Sequence, residues 1–222
     1  ALDLYKQPGF VSELQVNYTA ETACGESLSL LTGTADSVTY ELADAEGQVL
    51  ATAEGLGTVQ LAANGITPWT PETPALYILR VTVTANGTAD TAEQRIGIRT
   101  IQVSSKTGLL LNGQPRTMKG GCIHHDLGIL GAADHAAAER RRIRLMKESG
   151  FDAIRAAHNP FGPAFLDACD ELGMLVVEEA FDEWVMGRTS FGLHVTFEQC
   201  WEKDLEDMIT RDYNHPCIAV WG

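Results

Sequence analysis

The chain has 222 residues, 45% of them hydrophobic, and a formal net charge of −14. That apolar content suffices for a packed core and excludes a disordered chain. The acidic balance excludes nucleic acid and anionic membrane surfaces as main partners, because phosphate recognition needs clustered Lys and Arg. No apolar run approaches the ~20 residues of a membrane span. Cys24, Cys122, Cys169, Cys200 and Cys217 stand far apart with no C-x-x-C pair, so they read as free thiols rather than a disulfide framework. Residues 1–4 carry no basic, signal-like start, which favours a cytoplasmic location.

Residues 1–102 show the period of strands. Val38, Tyr40 and Leu42 alternate with polar neighbours, which turns one strand face to a core. Ala45-Glu46-Gly47 then reverses the chain. Residues 76–84 are rich in β-branched and aromatic side chains, Asn86-Gly87 follows, and residues 88–98 return. Asn-Gly between two such runs predicts a hairpin, since both residues tolerate positive φ. Short strands with frequent turns predict an immunoglobulin-like β-sandwich, although the Cys–Trp–Cys pattern of antibody domains is missing. Alone, such a domain implies a binding or spacer module.

From about residue 109 onward the period changes. Asn112-Gly113 turns between Leu109-Leu110-Leu111 and residues 116–119, and residues 120–124 read as a short strand. Asp134 is placed to cap a helix over 136–149, with Gly150 past its end. Residues 152–157 read as a second strand. Pro163 suits a first helical turn, and Phe165, Leu166, Cys169 and Leu172 form an apolar face closed by Gly173. Residues 174–177 form a continuous apolar run, as in a strand buried on both faces. Thr196 and Gln199 have capping-box spacing, and Phe197, Trp201, Leu205, Met208 and Ile209 then recur at helical intervals. Asn214-His215-Pro216 breaks that helix before a fourth strand over 217–221. The order β-α-β-α-β-α-β implies parallel strands with crossover helices. Four such strands make a small open sheet or half of an eight-stranded barrel. The expected domains are 1–102 and 103–222.

Polar residues gather at the strand ends, where (β/α) barrels build their sites. The first strand ends in His124-His125-Asp126, the second in Arg155-Ala156-Ala157-His158-Asn159, the third in Glu178-Glu179-Ala180-Phe181-Asp182-Glu183-Trp184. Alternation puts His124 and Asp126 on one side with His125 opposite, unless the strand has already ended, and sends Glu178 and Glu179 to different faces. One histidine at a strand end is usually structural, and Arg155 with Glu179 fits a plain ion pair; three polar ends together are harder to explain by packing. A metal reading uses His124, His158, Asp182 and Glu183 as ligands, without any H-x-H or H-E-x-x-H spacing to support it.

Four ordered blocks carry a resemblance. They are GLLLNGQP with KGGCIHHD (108–115 and 119–126), GFDAIRAAHNP (150–160), CDELGMLVVEEA (169–180) and RDYNHPCIAVWG (211–222), preceded by PWTPETPALY at 68–77. They resemble glycoside hydrolase family 2, the family of β-galactosidases and β-glucuronidases. The resemblance implies an immunoglobulin-like β-sandwich followed by the first half of a (β/α)8 TIM barrel. It also implies a retaining double displacement by two glutamates whose carboxyls lie ~5–5.5 Å apart. In the family the acid/base follows an Asn shortly after the N-H-P…W block and the nucleophile comes later. Both therefore fall beyond Gly222, so no catalytic residue is assigned, and Glu178, Glu179 and Glu183 are not promoted to the role.

The substrate-binding set implied is His124, Asp126, Arg155, His158, Asp182 and Trp184. Arg155 would stand beside the nucleophile and help keep it ionised. His124 and His158 would line the sugar subsite, with Asp182 and Trp184 contacting hydroxyls and a sugar face. Glu183 matches a magnesium-ligating Glu, but the accompanying His is Val185; the family's His-Tyr-Pro is His158-Asn159-Pro160, and the usual Asn before Ala153 is Asp152. No cofactor and no metal are assigned. The expected partner is a β-linked oligosaccharide or glycoside, and the chain is expected to be inactive alone and to self-associate through its unfinished barrel. The alternatives are a non-catalytic carbohydrate-binding module and a metal-dependent hydrolase using His124 and His158.

Overall fold

The computed structural model describes residues 11–18, 25–32, 35–56 and 59–222; residues 1–4 and Cys24 lie outside them. Two compact units emerge. The first takes the chain up to Trp69, Ala75–Gln102 and Leu110–Gly113; the second takes Thr70–Pro74, Val103–Leu109 and Gln114–Gly222.

The first unit contains β1 (Val11–Tyr18), β2 (Gly25–Thr32), β3 (Ser37–Ala43), β4 (Val49–Glu54), β5 (Val59–Ala62), β6 (Tyr77–Ala85) and β7 (Thr88–Ile96). They pair antiparallel in two sheets, β1-β2-β5 and β4-β3-β6-β7. Along β6 every second residue is buried, from Tyr77 through Leu79, Val81 and Val83 to Ala85. These meet Val38, Tyr40 and Leu42 of β3 and Leu61 of β5, so both sheets feed one core. Burial of each such aliphatic side chain contributes about 1.5–3 kcal/mol. The opposite face is polar: Arg80 bridges Glu41 and Glu93 at 3.0 and 2.7 Å. The expected hairpin is present, with Asn86 at φ 51° and Gly87 at φ 74° joining β6 to β7. Strands β8 (Ile101–Ser104), β9 (Gly108–Leu111) and β10 (Gln114–Pro115) form a small third sheet. Its turn again uses positive φ at Asn112 and Gly113.

The second unit runs β11 (Gly120–Ile123), α1 (Ala136–Glu148), β12 (Ala153–Ala156), α2 (Pro163–Leu172), β13 (Leu175–Glu178), α3 (Phe197–Asp212) and β14 (Ile218–Trp221). The strands are parallel and adjacent in chain order, β11-β12-β13-β14. A doubly wound sheet reverses its strand order at a switch point; continuation in sequence is the walk of a barrel, here four strands of one. Close pairing sets one residue type: a Cβ on Gly120 would stand 1.9 Å from the Ala153 carbonyl oxygen. Residues 70–74 join this unit through Lys147, whose Nζ donates to the Pro71 and Gly173 carbonyls at 2.7 and 2.5 Å. Arg116 adds ion pairs to Glu72 and Asp152 at 2.7 and 2.9 Å. Among the described residues no helix is long and apolar enough to cross a membrane.

Two helix starts depart from expectation. Asp134 does not cap α1, whose N-cap is His135 with no side-chain bond. Its carboxylate instead accepts the Ala164 amide in the first turn of α2 at 3.3 Å. The N-cap of α2 is Gly162, which has no side chain to offer, and a Cβ there would meet the Asp134 carboxylate at 2.1 Å. Asp134 thus satisfies an orphan donor of a helix other than its own. Thr196 forms no capping box: it sits at φ −118°, ψ 0°, directly after a 3-10 turn over Leu193–Val195, with no side-chain cap bond.

Candidate functional site at the strand ends

Register decides which side chains meet. Arg155 of β12 pairs with Val177 of β13, and Glu179 lies two residues beyond Val177, on the same face. Arg155 Nε donates to Glu179 Oε1 at 2.5 Å. His158 Nδ1 lies 3.2 Å from Glu179 Oε2 and 3.3 Å from the Arg155 guanidinium. With Nδ1 committed there, Nε2 is the ring nitrogen left for a ligand. His124 presents its ring edge-on to His158 at 5.2 Å. His125 stacks on Phe161 at 4.0 Å, and its Nε2 lies 3.3 Å from the Asn159 carbonyl. A cleft of about 230 Å³ is lined by His124, His125, Ala157, His158, Asn159 and Asp182.

Of the six residues singled out in the sequence, three line this cleft: His124, His158 and Asp182. Arg155 joins it through His158 and Glu179. Asp126 turns away, its Oδ1 accepting the Gly128 amide at 2.8 Å in its own loop. Alternation had paired it with His124, but β11 ends at Ile123, so the pleat no longer dictates direction there. Trp184 is 60% exposed and rests against Phe181 and Phe197, with ring centroids at 5.9 and 5.7 Å, outside the cleft walls. Asp182 lies 3.4 Å from Arg188.

Glu178 and Glu179 take opposite faces, as alternation requires. Glu178 is fully buried and accepts the Phe161 amide at 2.8 Å. Burial first, and then the neighbouring Asp212 charge, push its pKa up to about 7 against the pull of that amide. Sequence reasoning weighed Glu179 only as an ion-pair partner and left Glu178 without a task. The signal available was the two-residue step from Val177, which needs the β12–β13 register to be read.

The donors of the metal readings are engaged elsewhere or lie apart among the described residues. Glu183 is buried, and its two oxygens are taken by the Arg188 amide at 2.9 Å and His194 Nδ1 at 3.0 Å. Those two bonds hold its carboxyl below the usual range, the His194 contact most strongly. Val185 offers no ligand atom, so these residues do not fit the magnesium that the resemblance implies at this place. Among the described residues one group of three donors converges, Asp170, His215 and Cys217, rather than His124, His158, Asp182 and Glu183. Asp170 there bonds His215 Nδ1 at 2.6 Å and the Cys217 amide at 3.0 Å, a hydrogen-bonded core network.

What remains at the cleft is imidazole, amide and carboxylate, groups that hydrogen-bond hydroxyls. Glu179 is engaged by Arg155 and His158.

Residues 101–222 match the family model described as glycosyl hydrolases family 2, TIM barrel domain, and residues 10–99 match that described as glycosyl hydrolases family 2. The chain belongs to glycosyl hydrolase family 2. It is 36% identical to a β-galactosidase of Bacteroides ovatus over 96% of its own length and 25% of that protein. It is also 36% identical to a putative β-glucuronidase of Formosa agariphila, over 82% of this chain and 18% of that one. Among solved structures, a β-glycosidase from Bacteroides vulgatus superposes with a TM-score of 0.88 at 29% identity, covering 96% of this chain and 29% of that one. A β-glucuronidase from Ruminococcus gnavus in complex with a C6-substituted uronic isofagomine gives a TM-score of 0.83 at 27% identity, covering 96% and 36%. This family 2 chain therefore spans a quarter or less of the curated relatives it matches. It carries an immunoglobulin-like sandwich and the start of the barrel.

Proposed function

We propose that this chain supplies one wall of the sugar pocket of a retaining β-glycosidase acting on β-galactosides or related β-glycosides. The observation that carries the reading is the convergence of His124, His158 and Asp182 at the C-terminal ends of parallel strands in a family 2 barrel. In this reading His124 and His158 donate to sugar hydroxyls, and Asp182 accepts from one. Arg155, held by Glu179, presents positive charge to the carboxylate that attacks the anomeric carbon. Trp184 offers an apolar face to a distal part of the substrate. The two reacting carboxyls, one acid/base and one nucleophile, are expected beyond Gly222, so the 222-residue chain binds sugar weakly and turns over none.

The test compares this chain with one extended to the length of its relatives on a panel of nitrophenyl β-glycosides. Turnover by the extended chain alone supports the reading, and the sugar released names the specificity. Turnover by the 222 residues, abolished by a chelator, would overturn it in favour of metal-dependent hydrolysis. Among the described residues β11 and β14 each pair on one side only, so the isolated chain is expected to self-associate; light scattering showing a monomer at high concentration would contradict that.

A further inference from the structure

Glu178 does not line the cleft, yet it holds the segment that does. Its Oε1 accepts the Phe161 amide at 2.8 Å. On the other side, Arg211 donates to the Phe161 carbonyl at 2.6 Å while its Nε and Nη2 grip the two oxygens of Asp212 at 2.6 Å each. The Phe161 amide is therefore fastened to β13 and its carbonyl to α3. The Phe161 ring is wedged between His125 at 4.0 Å and Phe165 at 4.5 Å. From this anchor the chain runs back through Pro160 to Asn159 and His158 in the cleft wall. The second oxygen of Glu178 is buried without a hydrogen-bond partner. A side chain chosen only for packing has no reason to carry that cost of about 1–3 kcal/mol.

We infer that Glu178 is a positioning residue of the cleft: its carboxyl fixes the Phe161 backbone and, through it, the places of His158 and Asn159. The word "sugar" in that cleft rests on the glycosidase reading; the anchor does not. The groups facing Glu178 are Asp212 and Arg211 of α3, His215 just after it, and the buried thiols of Cys169 and Cys217. Its ionisation near pH 7 places a buried charge just where the anchor is made. Acid and carboxylate both accept the amide hydrogen, so Glu178→Gln keeps the acceptor and removes the titration, while Glu178→Leu removes both.

The experiment is NMR on the labelled 222-residue chain across pH 7. In the unmutated chain, the backbone amide resonances of Phe161 and Asn159 are expected to shift together through about pH 7. Glu178→Gln is expected to keep Phe161 protected from exchange and to abolish that shared shift. Glu178→Leu is expected to speed Phe161 exchange by roughly tenfold or more and to displace the His158 signals. A Gln variant that titrates like the unmutated chain would overturn the inference, as would a Leu variant with unchanged exchange. Should the Leu variant fail to fold, the Gln titration decides alone. In the chain extended to its relatives' length, KM for a nitrophenyl glycoside is expected to rise in Glu178→Leu more than kcat falls, with Gln restoring it. If the unmutated extended chain hydrolyses no glycoside, the glycosidase reading falls while the NMR result still judges the anchor.

Discussion

The two units bury different things. In the sandwich, the interior residues of β3, β5 and β6 are hydrophobic, and charge stays on the open face as the half-exposed triplet Arg80, Glu41 and Glu93. In the barrel unit lie all the charged side chains buried among the described residues: Glu139, Asp170, Glu178, Glu183 and Asp212. Four of them have a cationic or imidazole partner within hydrogen-bond reach, namely Arg142, His215, His194 and Arg211. Glu178 has only an amide. The sandwich is a packing solution that period and turns specify. The barrel unit sets its interior charges to hold loops in place, at a desolvation cost that pairing must offset.

That contrast can be broken or sharpened. The largest effect is expected from Asp170→Ala, which strands His215 and the Cys217 amide in the core: about 3–5 kcal/mol in urea unfolding. A loss no greater than that of a surface substitution would mean that buried charge is incidental to this unit. Leu79→Ala in the sandwich core should cost about 2–5 kcal/mol, through lost burial and a cavity.

Next comes pH. Glu178 has a folded pKa near 7 against 4.5 for the free group, so the folded state binds more protons in that interval. Stability of the barrel unit should then fall as pH rises from 4.5 to about 7, by on the order of 3 kcal/mol. Glu178→Gln should flatten that slope. The pKa of His215 is raised, Asp170 outweighing burial, so its stabilisation is also lost as pH rises. Among the described residues of the sandwich the shifted groups, Tyr40 and Arg80, both move upward, away from this window, and its amide exchange should show no matching slope. Smallest of all is Arg80→Ala, in a half-exposed triplet whose loss should leave the melting temperature unchanged within measurement.

Legibility followed the range of the forces involved. The β6–β7 hairpin was readable because Asn86-Gly87 states its own backbone preference. The α2 stop was readable because Gly173 takes the left-handed cap at φ 72°. The cap of α2 was not, because its acceptor, Asp134, comes from 30 residues upstream. The pairing of His124 with Asp126 failed where β11 ended one residue before His124. Within the site, the split of Glu178 from Glu179 was legible from alternation. The ion pair of Arg155 with Glu179 was also readable and is present, whereas the bond from the Phe161 amide to Glu178 was not.

By itself, then, the sequence determined a β-rich first unit, a β-α second unit and polar strand ends, together with a family resemblance that the comparisons bear out. These depend on period, turn chemistry and residue type, all local to the chain. Only the tertiary structure decided that Asp134 serves α2, that His158 reaches Glu179, and that Glu178 grips Phe161. Each of those is a contact between residues far apart in sequence, set by strand register and helix packing, for which no neighbouring residue carries a signal.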